Sequence, residues 1–204
     1  MVKILDCTLR DGGYYNQWYF EDEFVKLYLN AINASEVDFV ELGFRYSKSR
    51  GEFGPYAFLT DEKLSEIVPS DFKPEIAVMV EETDLRNDEN FVMEYFTDVS
   101  NTTVSMIRIA SHFDNVYTCF QQIEQMKNLG FKVCLNIMQI GNYAEKDIIK
   151  LITDINENCS LDYLYFADSL GNLDTISSAK IFSVFKKYSK FPIGFHGHNN
   201  LGLA

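Results

Sequence analysis

The sequence is short of the features that would tie it to nucleic acid, to a membrane or to a disulfide framework. Its 204 residues carry 18 basic against 30 acidic side chains, a formal charge of -12 with no compensating basic patch, which repels phosphate backbones and anionic lipid surfaces. No apolar run reaches bilayer-spanning length, and the opening "MVKILDCTLRDGG" places an aspartate sixth, unlike a signal peptide. Neither nucleic acid nor membrane is an expected partner, and a cytoplasmic location is expected. The cysteines Cys7, Cys119, Cys134 and Cys159 are irregularly spaced without any C-x-x-C, which suits reduced core thiols better than disulfides or a zinc site. No G-x-G-x-x-G or Walker loop is present, so the usual nucleotide sites of open α/β sheets are missing. Histidine is scarce as well: of three in the chain, two, His196 and His198, stand one residue apart in "GFHGHNNLGLA".

What is present is a core and a rhythm. At 47% hydrophobic and 15% aromatic, with no shift in composition, the chain is expected to form one domain over residues 1–204. Apolar, β-branched or aromatic runs recur at "VKILDCTL", "VDFVELGF", "PEIAVMV", "TVSMIRIA", "FKVCLNIM", "LDYLYFAD" and "FPIGFHGH", which predicts seven strands. Helical periodicity fills most gaps. Val116, Phe120, Ile123 and Met126 share one face ahead of Gly130; Ile148, Ile149, Ile152 and Ile155 share another; a third helix is predicted from Asp174 as N-cap to Tyr188. Strand and helix alternating at intervals of roughly 25 to 30 residues demand a parallel sheet with right-handed crossovers. The absent nucleotide loops, and polar residues collected after several strands, favour a (β/α)8 TIM barrel over an open sheet.

Side chains at i and i+2 of a strand share a face, so His196 and His198 project together with Gly197 leaving room between them. In a closed barrel Asp11 would lie about two strand spacings away, on the order of 10 Å between backbones. Two imidazoles and a carboxylate suit Mn2+, Mg2+, Co2+, Fe2+ or Zn2+ with positions open for substrate. The plainer reading, a strand-end pair facing solvent or satisfied in the core, stands beside it.

"LDCTLRDGGY" at the start and "GFHGHNNLGLA" at the end together resemble the metal-dependent TIM-barrel family of 4-hydroxy-2-oxovalerate aldolase, hydroxymethylglutaryl-CoA lyase and the isopropylmalate and homocitrate synthases. "ADSLGN" and "RIASH" resemble motifs of the aldolase branch. The resemblance covers nearly the whole chain. It implies metal ligands at Asp11, His196 and His198, a catalytic arginine at Arg10 and an acidic residue of the site at Glu41. The ion would be Mn2+ or Mg2+ foremost, with Co2+ and Zn2+ as further candidates. The substrate would be a 2-oxo acid, whose carbonyl and carboxylate can chelate it. His112 reads as a substrate contact or proton carrier, or as a loop histidine. Asp168 and Ser169 read as orienting a ligand histidine or touching substrate, or as a tight turn before Gly171. The long stretch from Phe44 to Glu62, with Arg45, Lys48 and Arg50, reads as a lid over an anionic substrate, Arg45 being a substrate contact, or as a solvated insertion.

There are departures. Aldolases of this type carry a histidine as base three residues after the aspartate, and that position here is Tyr14, a poorer base at neutral pH. The synthases follow R-D-G with Glu-Gln where this chain has Gly-Tyr, which sets acyl-CoA chemistry behind aldol cleavage. Other readings are an Fe(II) oxygenase triad, against which the βα rhythm argues, and a non-catalytic barrel serving as a binding or assembly module. Seven strands, where a barrel needs eight and about 250 residues are typical, imply an incomplete barrel. Its missing unit would lie in a longer polypeptide, in a homo-oligomer or partner chain, or in an overlooked strand between Phe53 and Val68.

Overall fold

The computed structural model describes residues 2–198 and residue 202. Seven strands run in chain order: β1 (Leu5–Asp6), β2 (Phe39–Phe44), β3 (Glu75–Glu81), β4 (Val104–His112), β5 (Lys132–Met138), β6 (Tyr163–Ala167) and β7 (Ile193–His196). They form one sheet in the order β1 to β7, each paired only in parallel with its neighbours, curled into a half-barrel. Every predicted strand is present, and the fold is the incomplete (β/α) barrel that the rhythm implies. The segment between Phe53 and Val68 supplies no strand. It holds a 3-10 turn, Pro55–Ala57, and a helix, Asp61–Ile67, with a single antiparallel bridge from Arg45 to Phe58.

The helices are α1 (Thr8–Asn16), α2 (Asp22–Asn33), α3 (Asp61–Ile67), α4 (Glu82–Asn87), α5 (Phe91–Tyr95), α6 (Phe120–Asn128), α7 (Glu145–Asn158) and α8 (Thr175–Tyr188). In α7 the buried stripe is Ile148, Leu151, Ile152 and Ile155, an i, i+3, i+4, i+7 spacing; Ile149, expected inward, is only half-buried. The face ahead of Gly130 is shared between a 3-10 segment holding Val116 and α6 holding Ile123 and Met126, with Phe120 half-buried. Gly130 then takes a φ of +89°, the left-handed turn that frees the chain to enter β5. Asp174 caps α8 as predicted, its carboxylate accepting from the Ser177 amide at 2.7 Å.

One large apolar cluster fills the layer between sheet and helices. A smaller one, Phe39, Ala77, Met106 and Cys134 with Leu5, Tyr163 and Tyr165 against it, lines the inside of the curl. Alternation then decides what stands above that floor. Continuing inward from Phe39, Ala77, Met106 and Cys134 by steps of two brings Glu41, Met79 and Glu81, Arg108 and Ala110, and Asn136 and Met138 to the same inner face. The C-terminal half of the curl is therefore polar, and the site stands there.

The stretch from Phe44 to Glu62 is not an open flap. Tyr56, Ala57 and Leu59 are buried, and Gly43 packs so closely beneath them that a Cβ there would lie 2.0 Å from the Tyr56 carbonyl oxygen. Its arginines are engaged. Arg45 pairs with Asp61 and donates to the Tyr95 carbonyl at 2.7 Å, and Arg50 pairs with Asp84 at 2.7 Å and Glu81 at 2.8 Å while lying over the Tyr46 ring.

Candidate active site

Strand β1 stops after two residues because Asp6 turns the chain: its Oδ1 accepts from the Thr8 amide at 2.9 Å and its Oδ2 from the Thr8 hydroxyl at 3.1 Å. Helix α1 begins there, so Arg10 and Asp11 sit on a helix. The helix turns Arg10 toward the sheet, where it is buried, donating from Nε to Glu41 at 2.7 Å and pairing through Nη1 with Asp11. Glu41 has no exposure at all. It also accepts from Nη1 of Arg108 at 2.8 Å, and Arg108, equally buried, lies over the Tyr165 ring. Burial alone would push the Glu41 carboxyl up, but the Arg108 and Arg10 guanidiniums outweigh it and hold it below the usual carboxylate range. Arg108 is likewise held above its ordinary value by Glu41 against the effect of burial.

Arg10, Asp11, Tyr14, Ser169, His196 and His198 line one cavity of about 280 Å3, whose walls also include Glu81, Asn136 and Gln139. It opens at the C-terminal ends of the strands, the face on which barrels build their active sites. Within it, one ligating atom each from Cys7, Asp11 and His196 lie within 4.8 Å of one another. Asp11 Oδ2 is 3.2 Å from Cys7 Sγ and 3.4 Å from His196 Nε2, and Cys7 Sγ is 3.9 Å from His196 Nδ1. His196 Nε2 is buried without a hydrogen-bond partner. An orphaned imidazole nitrogen facing a carboxylate, with a thiol beside the same ring, is what a divalent cation would satisfy, so this donor set fits a metal ion. Burial, aided by Arg10, pushes the His196 imidazole down to about 4, so it is neutral and able to ligate at physiological pH. Burial and the nearby Glu41 push the Cys7 thiol up to about 12. His198 stands outside this trio; it is exposed on the cavity wall, its ring centroid 5.0 Å from that of His196. Tyr14 meets Trp18 edge-on at 4.8 Å, and desolvation pushes its phenol above the usual range.

Other predicted residues lie elsewhere. Arg45 lines a separate cleft with Lys48, Met93 and Tyr95, and His112 is exposed at the end of β4, off the cavity wall. Asp168 serves the turn after β6: its Oδ1 accepts from the amides of Asn172 at 2.9 Å and Leu173 at 3.1 Å, and its own amide donates to the His196 carbonyl at 2.9 Å. It holds the backbone of His196 rather than its ring. Ser169, next along, reaches the cavity and accepts from the Gln139 amide at 2.8 Å. The sequence reading passed over Glu81, Asn136, Gln139 and Arg108, and took Cys7 for a packing residue. The period-two alternation of the strands was the signal for the first two and for Arg108. Cys7 and Asp11, four apart across the start of α1, carried the signal for the thiol.

No helix among the described residues is long and apolar enough to cross a membrane. The chain is 25% identical over 206 residues to 4-hydroxy-2-oxovalerate aldolase of Pelotomaculum thermopropionicum, covering 100% of this chain and 58% of that protein. It is 24% identical to the aldolase of the same name from Bacillus thuringiensis, again covering 100% of this chain and 58% of the relative. The chain thus spans little more than half the length of these curated relatives. Among solved structures, the N-terminal domain of a candidate aldolase from Bacteroides vulgatus matches with a TM-score of 0.85 at 32% identity, over 99% of this chain and 66% of that one. Hydroxymethylglutaryl-CoA lyase from Pseudomonas aeruginosa matches with a TM-score of 0.71 at 12% identity, over 98% and 69%, a likeness of fold alone. The HMGL-like family model matches residues 1–204, the entire chain, and with the half-barrel and its polar C-terminal face this protein belongs to the HMGL-like family.

Proposed function

We propose that this chain carries the catalytic core of a divalent-metal-dependent carbon-carbon lyase of the aldolase type, cleaving a 4-hydroxy-2-oxo acid to pyruvate and an aldehyde. The observation that carries the reading is the convergence of Arg10, Asp11, Tyr14, His196 and His198 on one cavity. At about 280 Å3 it falls just below the ~300–1,000 Å3 of ordinary ligand sites, which suits a small acid. The relatives named 4-hydroxy-2-oxovalerate aldolase support the aldolase class of reaction.

Asp11 and His196, with His198 beside them, would hold the ion, which when bound supplies Lewis-acid stabilisation of charge developing on a 2-oxo group. Arg10 is aimed in advance, because Glu41 and Asp11 fix Nε and Nη1 and leave Nη2 for an oxygen of the substrate. Glu41 lies behind Arg10 rather than on the cavity wall, so its part is to keep that guanidinium oriented. Tyr14 is a phenol at neutral pH and acts as a proton donor. The 4-hydroxyl proton goes to Glu81, the other carboxylate on the wall. That oxygen becomes the carbonyl of the departing aldehyde, and the C3–C4 electron pair moves into the enolate of pyruvate beside Arg10. A proton delivered to C3 by Tyr14 or water completes pyruvate.

The test is metal analysis followed by a pyruvate-release assay over 4-hydroxy-2-oxo acids of differing chain length. Joint replacement His196→Ala and His198→Ala is expected to abolish ion binding with the circular dichroism unchanged. Arg10→Lys is expected to keep the ion and lose at least about 100-fold in turnover, because a point charge cannot reproduce the guanidinium fork. Unchanged metal content in the double variant, or no pyruvate from any of the acids, would overturn the reading.

A further inference from the structure

We propose that Cys7 is itself a ligand of the ion, as its thiolate, and that this sulfur donor makes the site select Zn2+ or Co2+ over Mg2+ and Mn2+. The inference rests on the metal site proposed above and deepens it. Cys7 stands where β1 gives way to α1, one helical turn before Asp11, and that turn brings its Sγ to 3.2 Å from Asp11 Oδ2. The curl of the sheet brings His196 to its other side, with Nδ1 at 3.9 Å. Ion-to-ligand bonds of about 2.0–2.3 Å in a tetrahedral array place neighbouring donors roughly 3.3–3.7 Å apart. The 3.2 Å from Cys7 Sγ to Asp11 Oδ2 and the 3.4 Å from Asp11 Oδ2 to His196 Nε2 lie close to that spacing, and one ligating atom from each of the three residues falls within 4.8 Å of the others.

The remaining cysteines cannot take this part. Cys119, Cys134 and Cys159 are buried in the packing, and Cys7 alone among the four is partly exposed. The unpartnered Nε2 of His196 is an independent sign that the site awaits a ligand. Donor chemistry then decides the ion. Mg2+ and Mn2+ favour all-oxygen surroundings, whereas sulfur beside imidazole and carboxylate favours Zn2+ and Co2+. On binding, the S–H bond breaks heterolytically, its proton passes to solvent, and its electron pair forms the sulfur-to-ion bond with no change of oxidation state.

The experiment uses the purified full chain, stripped of metal and loaded with Co2+. The expected result is a set of visible d–d bands together with a near-ultraviolet sulfur-to-cobalt charge-transfer band. Cys7→Ser is expected to keep the d–d bands and lose the charge-transfer band. It is also expected to lose at least about tenfold in Zn2+ affinity by equilibrium dialysis, the lower bound for perturbing even an outer-shell partner of a metal site, while Mg2+ affinity stays within twofold. Cobalt bound in the wild type with d–d bands alone would overturn the role of Cys7 and leave the metal site standing. Failure of the wild type to bind Co2+, Zn2+ or Mg2+ at all would overturn the site and this proposal with it. Equal loss of Zn2+ and Mg2+ affinity in Cys7→Ser would also overturn the selectivity, since it points to a packing role.

Discussion

Replacing Glu41 by glutamine removes one negative charge from a cluster of two guanidiniums and two carboxylates, Arg10, Arg108, Glu41 and Asp11. The side chain keeps its shape, so the loss is electrostatic. Glu41 and Arg108 are both fully buried, and Nε and Nη2 of Arg108 have no hydrogen-bond partner, so the Glu41 carboxylate is what compensates that cation. Breaking a buried pair in this way costs about 3–5 kcal/mol, a large part of the roughly 5–15 kcal/mol by which domains are stable. With a urea dependence of about 1–3 kcal/mol per molar, the unfolding midpoint should fall by about 1 M or more. Joint replacement Glu41→Gln with Arg108→Met restores neutrality, leaving Arg10 opposite Asp11, and should recover most of the loss. Urea unfolding followed by circular dichroism reads both. The sign of the pH dependence follows from the depressed carboxyl: its stabilisation is complete above the ordinary value of 4.5 and is lost as pH falls through the lower folded value. The gap between wild type and Glu41→Gln should therefore narrow in acid. A single-variant loss below about 1 kcal/mol, or a double variant no more stable than the single, would refute the reasoning.

Asp174→Ala removes the side-chain cap of α8 and should lower the urea unfolding midpoint with activity untouched; no change would mean that the Ser177 contact contributes nothing. Gly43→Ala forces a methyl group to within 2.0 Å of the Tyr56 carbonyl oxygen, so the segment above β2 must lift. A loss of about 1–3 kcal/mol and new tryptic cleavage after Lys48 or Arg50 are expected, and a wild-type digestion pattern would contradict the close packing described for that segment.

The strands were legible because each is a short apolar run between polar segments, a signal that needs no distant information. The extent of β1 was not, because two hydrogen bonds from Asp6 to Thr8 convert what looks like a continuous strand into a helix start. That Asp11, His196 and His198 line one cavity was legible through their spacing and motif. Arg108 was hidden because its partner Glu41 lies 67 positions away, and an arginine inside an apolar strand does not name what compensates it. Arg45 misled for the opposite reason. A basic loop near a predicted site invites an anionic ligand, but Asp61 and the Tyr95 carbonyl already answer that guanidinium from within the chain.

The site is built from the two extremes of this stretch of chain, Cys7 and Asp11 near its start and His196 in β7, with 189 positions between Cys7 and His196. Edge strands β1 and β7 are not paired with each other, and these side chains stand where the two ends of the curl approach. A cation held there would act as a clasp across the longest loop that the fold closes, and loops of that length form late in folding. Loading the site should accordingly slow amide exchange along β1 and β7 more than in the central strands, coupling occupancy of the candidate site to the integrity of both edges of the sheet.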